Sequence, residues 1–238
     1  MVLLGSFLNA LFIIIGALIG RLFQNIPDKI KETSLSIIGL AVALLGIQMG
    51  FESENFIIII ISLVVGAVIG EWLDLDRLFN RFGQWIECKL SHGKEKKSNG
   101  SIAEGFVTAS LIFVIGSMGI LGALDSGIRN DHDVLITKGI IDGFTSIILA
   151  STLGIGVLFS AFPVFVYQGT IALLAGVISM YMSDAALNMF VQEMTATGGV
   201  MIMAIGLNIA GLTKIRVANL LPGIAIVGVI IMILFMFQ

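Results

Sequence analysis

The sequence predicts an all-α membrane protein with about eight transmembrane helices, built as an inverted-topology repeat around a central helix pair. First, the chain is 57% hydrophobic and only 12% charged, whereas soluble domains are about 45–50% apolar and about 25% charged. Second, several runs reach the roughly 20 apolar residues that a membrane-spanning helix needs. Third, one glycine-containing stretch recurs 160 residues later with the same glycine spacing.

Apolar runs define the predicted spans, which cover residues 2–23, 34–51, 55–73, 104–124, 134–161, 164–182, 194–212 and 219–237. The fifth span is long, and its STLGIG stretch at 151–156 is a candidate break. We therefore expect four regions: a first repeat at 1–73, a cytoplasmic segment at 74–100, a central pair of spans at 101–162 and a second, inverted repeat at 163–238. The N-terminal run lacks both a preceding basic region and a cleavage pattern, which predicts a retained helix.

Lysine and arginine residues predict the orientation, because cytoplasmic loops carry the excess of these residues. With eight spans, the basic loops after spans one, three and seven all lie on one side. The opposite loops, FESEN, DSGIRNDHD and SDAALNMFVQE, are acidic and contain a single arginine, Arg129. Both termini are therefore predicted to lie outside the cytoplasm.

The polar segment at 74–99 contains apolar residues at helical spacing with charges opposite. These residues are Leu75, Leu78, Phe79, Phe82, Trp85 and Ile86. The pattern is typical of an amphipathic helix on the inner membrane surface. The segment either anchors the chain or binds a partner, and the sequence leaves both interpretations open.

The stretch GLAVALLGIQMG at 39–50 is echoed by GVMIMAIGLNIA at 199–210. Without a gap, two glycines and an amide coincide: Gly39 with Gly199, Gly46 with Gly206, and Gln48 with Asn208. Spans one to three then correspond to spans six to eight. This odd shift reverses the direction of each span across the bilayer. Inverted repeats of this kind are typical of secondary transporters, and some channels share them.

In the first copy of the echo, Gly39, Gly46 and Gly50 share one helix face, on which a neighbouring helix can approach closely. We expect the same packing role for Gly199 and Gly206 in the second copy.

The amides of the echo, Gln48 and Asn208, present a different problem. An amide that faces lipid leaves its hydrogen bonds unmade, which costs free energy. We therefore expect both to face the protein interior or a polar cavity. They either join helices as structural hydrogen bonds or line a pathway.

Asp142 is the main candidate for a pathway residue, because an intramembrane carboxylate suggests a functional site. Lys138 lies four residues earlier on the same helix face, so the alternative is an interfacial ion pair near the outer surface. The remaining pathway candidates are Asn9, Gln168 and Asp125. Asp125 follows glycines at 116, 119 and 122, which indicate either close packing or a broken helix.

No enzyme motif is present, since HExxH, Walker and GxSxG patterns are all missing. His92 and His132 lie in predicted loops, far from any carboxylate pair of metal-site spacing. The single cysteine, Cys88, excludes an internal disulfide. We expect a non-enzymatic protein without a cofactor or metal, embedded in the lipid bilayer. The net charge of −3 suggests no nucleic-acid partner, and a homo-oligomer is left open.

Two stretches, GSFLNALFIIIGALIG and the run from Leu121 to Gly169, carry a family resemblance that covers nearly the whole chain. The chain resembles the bacterial YdfK/YqgA-like membrane proteins, a family of unknown function. The resemblance implies a multi-pass protein of the bacterial cytoplasmic membrane. It supplies no functional residue.

Two functional hypotheses follow. The first is a transporter or channel for a small solute or ion, with a cation slightly favoured by the intramembrane carboxylates and disfavoured by Lys138. The second is a non-transporting membrane sensor or assembly protein that acts through the 74–99 segment. Convergence of polar residues from several spans favours transport, whereas scattered, locally paired amides favour a scaffold.

Overall fold

The computed structural model describes residues 1–23, 28–81, 102–181 and 183–236, and the chain is helical without strands in these ranges. Residues 75–81 form a helical segment after the third helix. The principal helices are α1 (Leu4–Leu22), α2 (Asp28–Gly50), α3 (Phe56–Leu73), α4 (Ile102–Val114), α5 (Ser117–Ile128), α6 (Asp133–Leu153), α7 (Gly156–Phe159), α8 (Ala161–Tyr181), α9 (Asp184–Ile209) and α10 (Pro222–Met236), with a 3₁₀ turn at Val217–Leu220.

Six helical segments within the described residues are long and apolar enough to cross a membrane. They are Leu4–Leu22, Phe56–Leu73, Asp133–Leu153, Gly156–Met180, Ala185–Ile209 and Val217–Phe235. The pair α4 and α5 would add a seventh crossing if counted as one bent span, and the apolar part of α2, Leu35–Gly50, is shorter. The predicted all-helical, multi-pass architecture is confirmed at this level.

The fourth predicted span is broken. Helices α4 and α5 meet at an angle of 63°, and Gly116 between them has a φ of +136°. This conformation is accessible to glycine and strained for other residues. The sequence left close packing or a broken helix open for the glycines at 116, 119 and 122. The structure has a break at Gly116.

The fifth predicted span, 134–161, is also divided. Helix α6 ends at Leu153, and Gly154 has a φ of +87°. The short α7 and then α8 follow, so the STLGIG stretch does contain a break. The span predicted at 134–161 is thus divided at its candidate break, because glycine adopts this positive φ at little steric cost.

The outer loop predicted before span seven is helical instead. Helix α9 begins at Asp184, ten residues before the predicted start of that span. The Ser183 hydroxyl accepts a hydrogen bond from the Ala186 amide, which caps the helix start. Ala186 and Val191 are buried, so apolar packing outweighs the acidic, loop-like composition of this stretch.

The described helices form two compact units, which do not follow the sequence repeats. The first unit comprises Met1–Lys31, Phe79–Val114 and Met118–Ile178. In it, α1 packs along α6: a Cβ at Gly16 would overlap the carbonyl of Gly143, and one at Gly20 that of Ile147. Since the contacting residue numbers rise together, α1 and α6 run parallel.

The second unit comprises Glu32–Leu78, Ile115–Ser117 and Ser179–Gln238. Here α2 and α9 run antiparallel at very close approach. A Cβ at Gly39 would lie 2.6 Å from the Gly206 carbonyl oxygen, and one at Gly46 would lie 2.5 Å from that of Gly199. Glycine is needed at these positions because any side chain would force the two backbones apart.

Candidate functional site

Four buried polar side chains from three helices of the first unit lie together, and we call them the polar cluster: Asn9 of α1, Lys138 and Asp142 of α6, and Gln168 of α8. Asn9 and Gln168 are 0% exposed, Asp142 5% and Lys138 6%. The Asn9 Nδ2 donates a hydrogen bond to Gln168 Oε1 over 3.1 Å. The Lys138 ammonium donates a hydrogen bond to the Asp142 carboxylate.

The local sequence of α6 explains how α1 reaches the ion pair. Lys138 and Asp142 are one helical turn apart, so they share a face. Glycines follow each of them, at Gly139 and Gly143, and a Cβ at Gly139 would lie 3.0 Å from the Asn9 Cα. The missing side chains let the α1 backbone approach, which brings the Asn9 amide to the pair.

The ion pair lies inside the helix bundle of the first unit and is shielded from solvent. Asp142 is near the middle of the 21-residue α6, about 13 Å along the helix axis from its start. Both charged side chains are more than nine-tenths buried. The pair is therefore buried within the protein, and the alternative of an interfacial pair near the outer surface stays a prediction about its depth in the membrane.

Two atoms of the polar cluster have no hydrogen-bond partner: the acceptor Asn9 Oδ1 and the donor Gln168 Nε2. A Cβ at Gly119 of α5 would lie 3.5 Å from Lys138 Cε and 3.7 Å from Gln168 Nε2. Gly119 therefore borders the cluster without filling the adjacent space. Buried unsatisfied polar atoms cost about 1–3 kcal/mol each, so a polar group that bonded to these two atoms would be stabilised there.

The chain matches, over residues 4–232, the family described as "Protein of unknown function (DUF554)". It belongs to the DUF554 family. One similar protein is the "Uncharacterized membrane protein YdfK" of Bacillus subtilis (strain 168), 35% identical over 98% of this chain and 97% of its own length. Another is the "Uncharacterized protein YqgA" of Escherichia coli (strain K12), 30% identical over 93% of each chain. No solved structure matches.

Three of the predicted pathway residues of this DUF554 protein, Asn9, Asp142 and Gln168, are thus brought together. Asp125 is not among them: it lies near the end of α5, half-buried, and forms an ion pair with Arg129 over 3.5 Å. Among the described residues, no group of three His, Cys, Asp or Glu side chains is placed to hold a metal ion.

Gln48 is exposed, so the expectation that it faces the protein interior was wrong. The physical reason is its position in the last turn of α2, which ends at Gly50. A long polar side chain at a helix end can extend to the membrane–water interface. Burial is therefore not needed to satisfy the amide.

The Asn208 side chain forms its hydrogen bonds within the loop that follows α9. Its Oδ1 accepts hydrogen bonds from the Thr213 hydroxyl over 2.7 Å and the Ile215 amide over 2.9 Å, and its Nδ2 donates to the Ile215 carbonyl over 2.7 Å. These bonds close the turn after α9. The bonds stay within one loop and join no two helices, so they differ from the interhelical hydrogen bond that was the structural alternative for this amide.

Sequence reasoning missed Glu193, which is 1% exposed in the second unit. Its carboxylate accepts hydrogen bonds from the Ser53 hydroxyl over 2.6 Å and from the amides of Glu54 and Asn55 over 3.2 and 3.3 Å. It thereby holds the turn before α3. The available signal was the helical spacing of apolar residues around it, at 186, 187, 190, 191 and 194.

Proposed function

We propose that this DUF554 protein is an integral membrane transporter or channel for a small solute or ion. The supporting observation is the polar cluster, in which side chains from α1, α6 and α8 converge within apolar helices. Ionisable residues in membrane spans are costly and commonly line substrate or ion pathways. The open donor and acceptor atoms give the cluster a binding capacity that a purely structural network does not need.

The preference for a cation, suggested by the intramembrane carboxylates, is weaker once the geometry is considered. Asp142 is paired with Lys138, so the cluster carries no net formal charge. A bare cation at Asp142 would have to compete with an ammonium that is already present. The site therefore does not favour a cation over an uncharged or zwitterionic solute.

We further propose that the chain is an inverted repeat, with residues 39–50 equivalent to 199–210. The close contacts between α2 and α9 support this repeat. Adding 160 to the residue number in α2 and subtracting 160 from the one in α9 turns one observed contact into another. The approach of Gly39 to Gly206 becomes that of Gly199 to Gly46, which also occurs. Any two antiparallel helices in contact share this reciprocity, so the specific support is that glycines occupy all four contact positions, as a repeat about a two-fold axis in the membrane plane requires.

Helix directions also support eight crossings. Helices α1 and α6 run parallel, and two parallel spans must be separated by an odd number of crossings. Helix α2, helix α3 and the bent pair α4–α5 together supply three, and α3 alone would supply one, so the helix directions fit eight or six crossings and not seven. The full set of eight is α1, α2, α3, α4–α5, α6, α7–α8, α9 and α10.

With eight crossings, we propose that both termini lie outside the cytoplasm in the bacterial cytoplasmic membrane. The end of α3 and the loop after α9 lie on one side in this arrangement, and an ion pair of 2.9 Å joins Glu71 to Arg216 there. Cysteine labelling in whole cells tests the orientation, with Cys88→Ser as background. A cysteine at position 95 should resist an impermeant reagent, and one added at the C-terminus should react. Labelling of position 95 would overturn the topology.

The transport proposal is tested by a flux screen over common ions and amino acids with the purified protein in proteoliposomes. At least one solute should be transported, and Asp142→Asn should abolish that flux while the protein still inserts and purifies as a single species. Absence of flux for every solute would contradict the proposal.

A second candidate is a non-transporting sensor or assembly protein that acts through the 74–99 segment. The locally paired Asn208 favours it, because a scaffold needs only such local bonds. Replacing residues 91–99 with a neutral linker separates the two candidates. A transporter should keep its flux, and a scaffold would lose its partner.

A further inference from the structure

We infer that the polar cluster binds a small zwitterion of the α-amino acid class. This inference rests on the proposed transport function and names the substrate class of the same site. It is carried by the charge balance of the cluster and by its open donor and acceptor atoms, next to which Gly119 presents no side chain.

The charge balance selects solutes without net charge. The cluster holds one ammonium, Lys138, and one carboxylate, Asp142, both buried. A bound cation would leave a net positive charge in this environment, and a bound anion a net negative one. Unpaired buried charge is strongly unfavourable. A zwitterion leaves the formal charge unchanged and still offers both signs to the resident pair.

The cluster offers both donors and acceptors to a solute. Gln168 Nε2, an open donor, lies 3.7 Å from a Cβ built at Gly119, and the Cε that carries the Lys138 ammonium lies 3.5 Å from it. The acceptors are the Asp142 carboxylate and the open Asn9 Oδ1, and Asn9 packs against Gly139, next to Lys138. An α-amino acid has an ammonium and a carboxylate on one carbon, so it can use donors and acceptors of the cluster at once.

Binding then exchanges partners without any covalent step or proton transfer. The hydrogen bond between Lys138 and Asp142 opens. The solute ammonium pairs with Asp142 and Asn9 Oδ1, and the solute carboxylate pairs with Lys138 and Gln168 Nε2. One ion pair becomes two, and both open atoms of the cluster gain partners.

The experiment uses the full chain in proteoliposomes and three probes of similar size: glycine, ethanolamine and glycolate. Labelled glycine should show saturable counterflow uptake. Unlabelled glycine or alanine should compete, whereas the cationic ethanolamine and the anionic glycolate should fail to compete at tenfold excess. Ethanolamine competing as well as glycine would overturn the inference in favour of a cation site.

Gly119→Ala tests the location of the site. The added methyl group would meet its neighbours at ordinary contact distances, and alanine favours the helix over glycine, so thermal stability should hold or rise. Uptake of glycine should fall at least about tenfold, the effect of one lost hydrogen bond to a charged group. The matched control is Gly176→Ala on α8, where a Cβ meets nothing within 4 Å and uptake should stay within about twofold.

The outcomes separate this inference from the transport proposal. Wild-type uptake in Gly119→Ala would overturn the cluster as the zwitterion site. Flux of ions without uptake of any amino acid would refute the zwitterion and leave the transport proposal standing. No flux of any solute, from a protein that is folded and inserted, would refute both.

Discussion

Breaking the Lys138–Asp142 pair on one side should destabilise the protein far more than replacing both partners. Exposed ion pairs contribute about 0–1 kcal/mol, but these side chains are only 6% and 5% exposed. Removing one partner of a buried pair leaves an uncompensated charge, which costs about 3–5 kcal/mol. For a chain of this length, that corresponds to a fall in Tm of about 6–20 °C.

The variants are Lys138→Met, Asp142→Leu and the double replacement, which keeps side-chain volume and removes both charges. Replacing a whole buried pair with apolar residues is often neutral or stabilising. The double variant should therefore melt within about 4 °C of wild type, a change of at most about 1–2 kcal/mol. Thermal melting of the detergent-solubilised protein, monitored by circular dichroism and by size-exclusion chromatography, measures all three.

Flux in the same samples separates stability from function. The double variant should be folded and inactive, because the groups that bind solute are gone. The charge-swapped protein, Lys138→Asp with Asp142→Lys, should also insert normally and fail to transport, since its carboxylate has moved by about 5.4 Å along the helix. Single variants that melt like wild type would refute the burial argument. Full flux in the charge-swapped protein would refute the hypothesis that Asp142 belongs to a transport pathway.

Three further predictions concern packing. Gly46→Ala would place its methyl group 2.5 Å from a carbonyl oxygen of α9 and should cost about 1–3 kcal/mol. In Gly50→Ala the added methyl group meets only one side chain, at 3.9 Å, so this variant should be neutral or stabilising by up to about 1 kcal/mol. Equal melting temperatures for Gly46→Ala and Gly50→Ala would contradict the close approach of α2 and α9 at Gly46. Gly206→Ala should match Gly46→Ala if the repeat is inverted, and a difference above about 1 kcal/mol would argue against equivalence. Glu193→Gln should cost about 1–3 kcal/mol, whereas Asn188→Ala, at an exposed position of the same helix, should cost at most about 0.5 kcal/mol; similar melting curves for the two variants would contradict a role for Glu193 in holding the turn before α3.

Several features of the fold and site followed from local sequence. A long apolar run needs no partner to be recognised, because the bilayer supplies its environment. Asn9, Asp142 and Gln168 stood out for the same reason, since a polar side chain in such a run is costly wherever it points. The division of span five was visible in its glycines, because backbone freedom is a local property.

Other features could not be read locally. Gln48 and Asn208 have the same apolar context as Asn9, yet they lie at helix ends, where polar side chains find water or loop backbone. Glu193 was assigned to a loop by its charged neighbourhood, although the packing of α9 buries it. Helix ends depend on capping and burial in three dimensions. The average composition of a stretch of sequence reports neither of them.

The sequence by itself determined that this chain is helical, lies in a membrane and carries a few polar residues within its spans, because each of these depends on the solvent around a single segment. Only the tertiary structure decided which of those polar residues meet. Asn9 reaches Lys138 and Asp142 because α1 and α6 run parallel and the glycines of α6 let the backbones approach. Gly119 borders them because α5 starts anew after the break at Gly116. Contacts between helices distant in sequence depend on the packing of whole faces, which no single segment encodes.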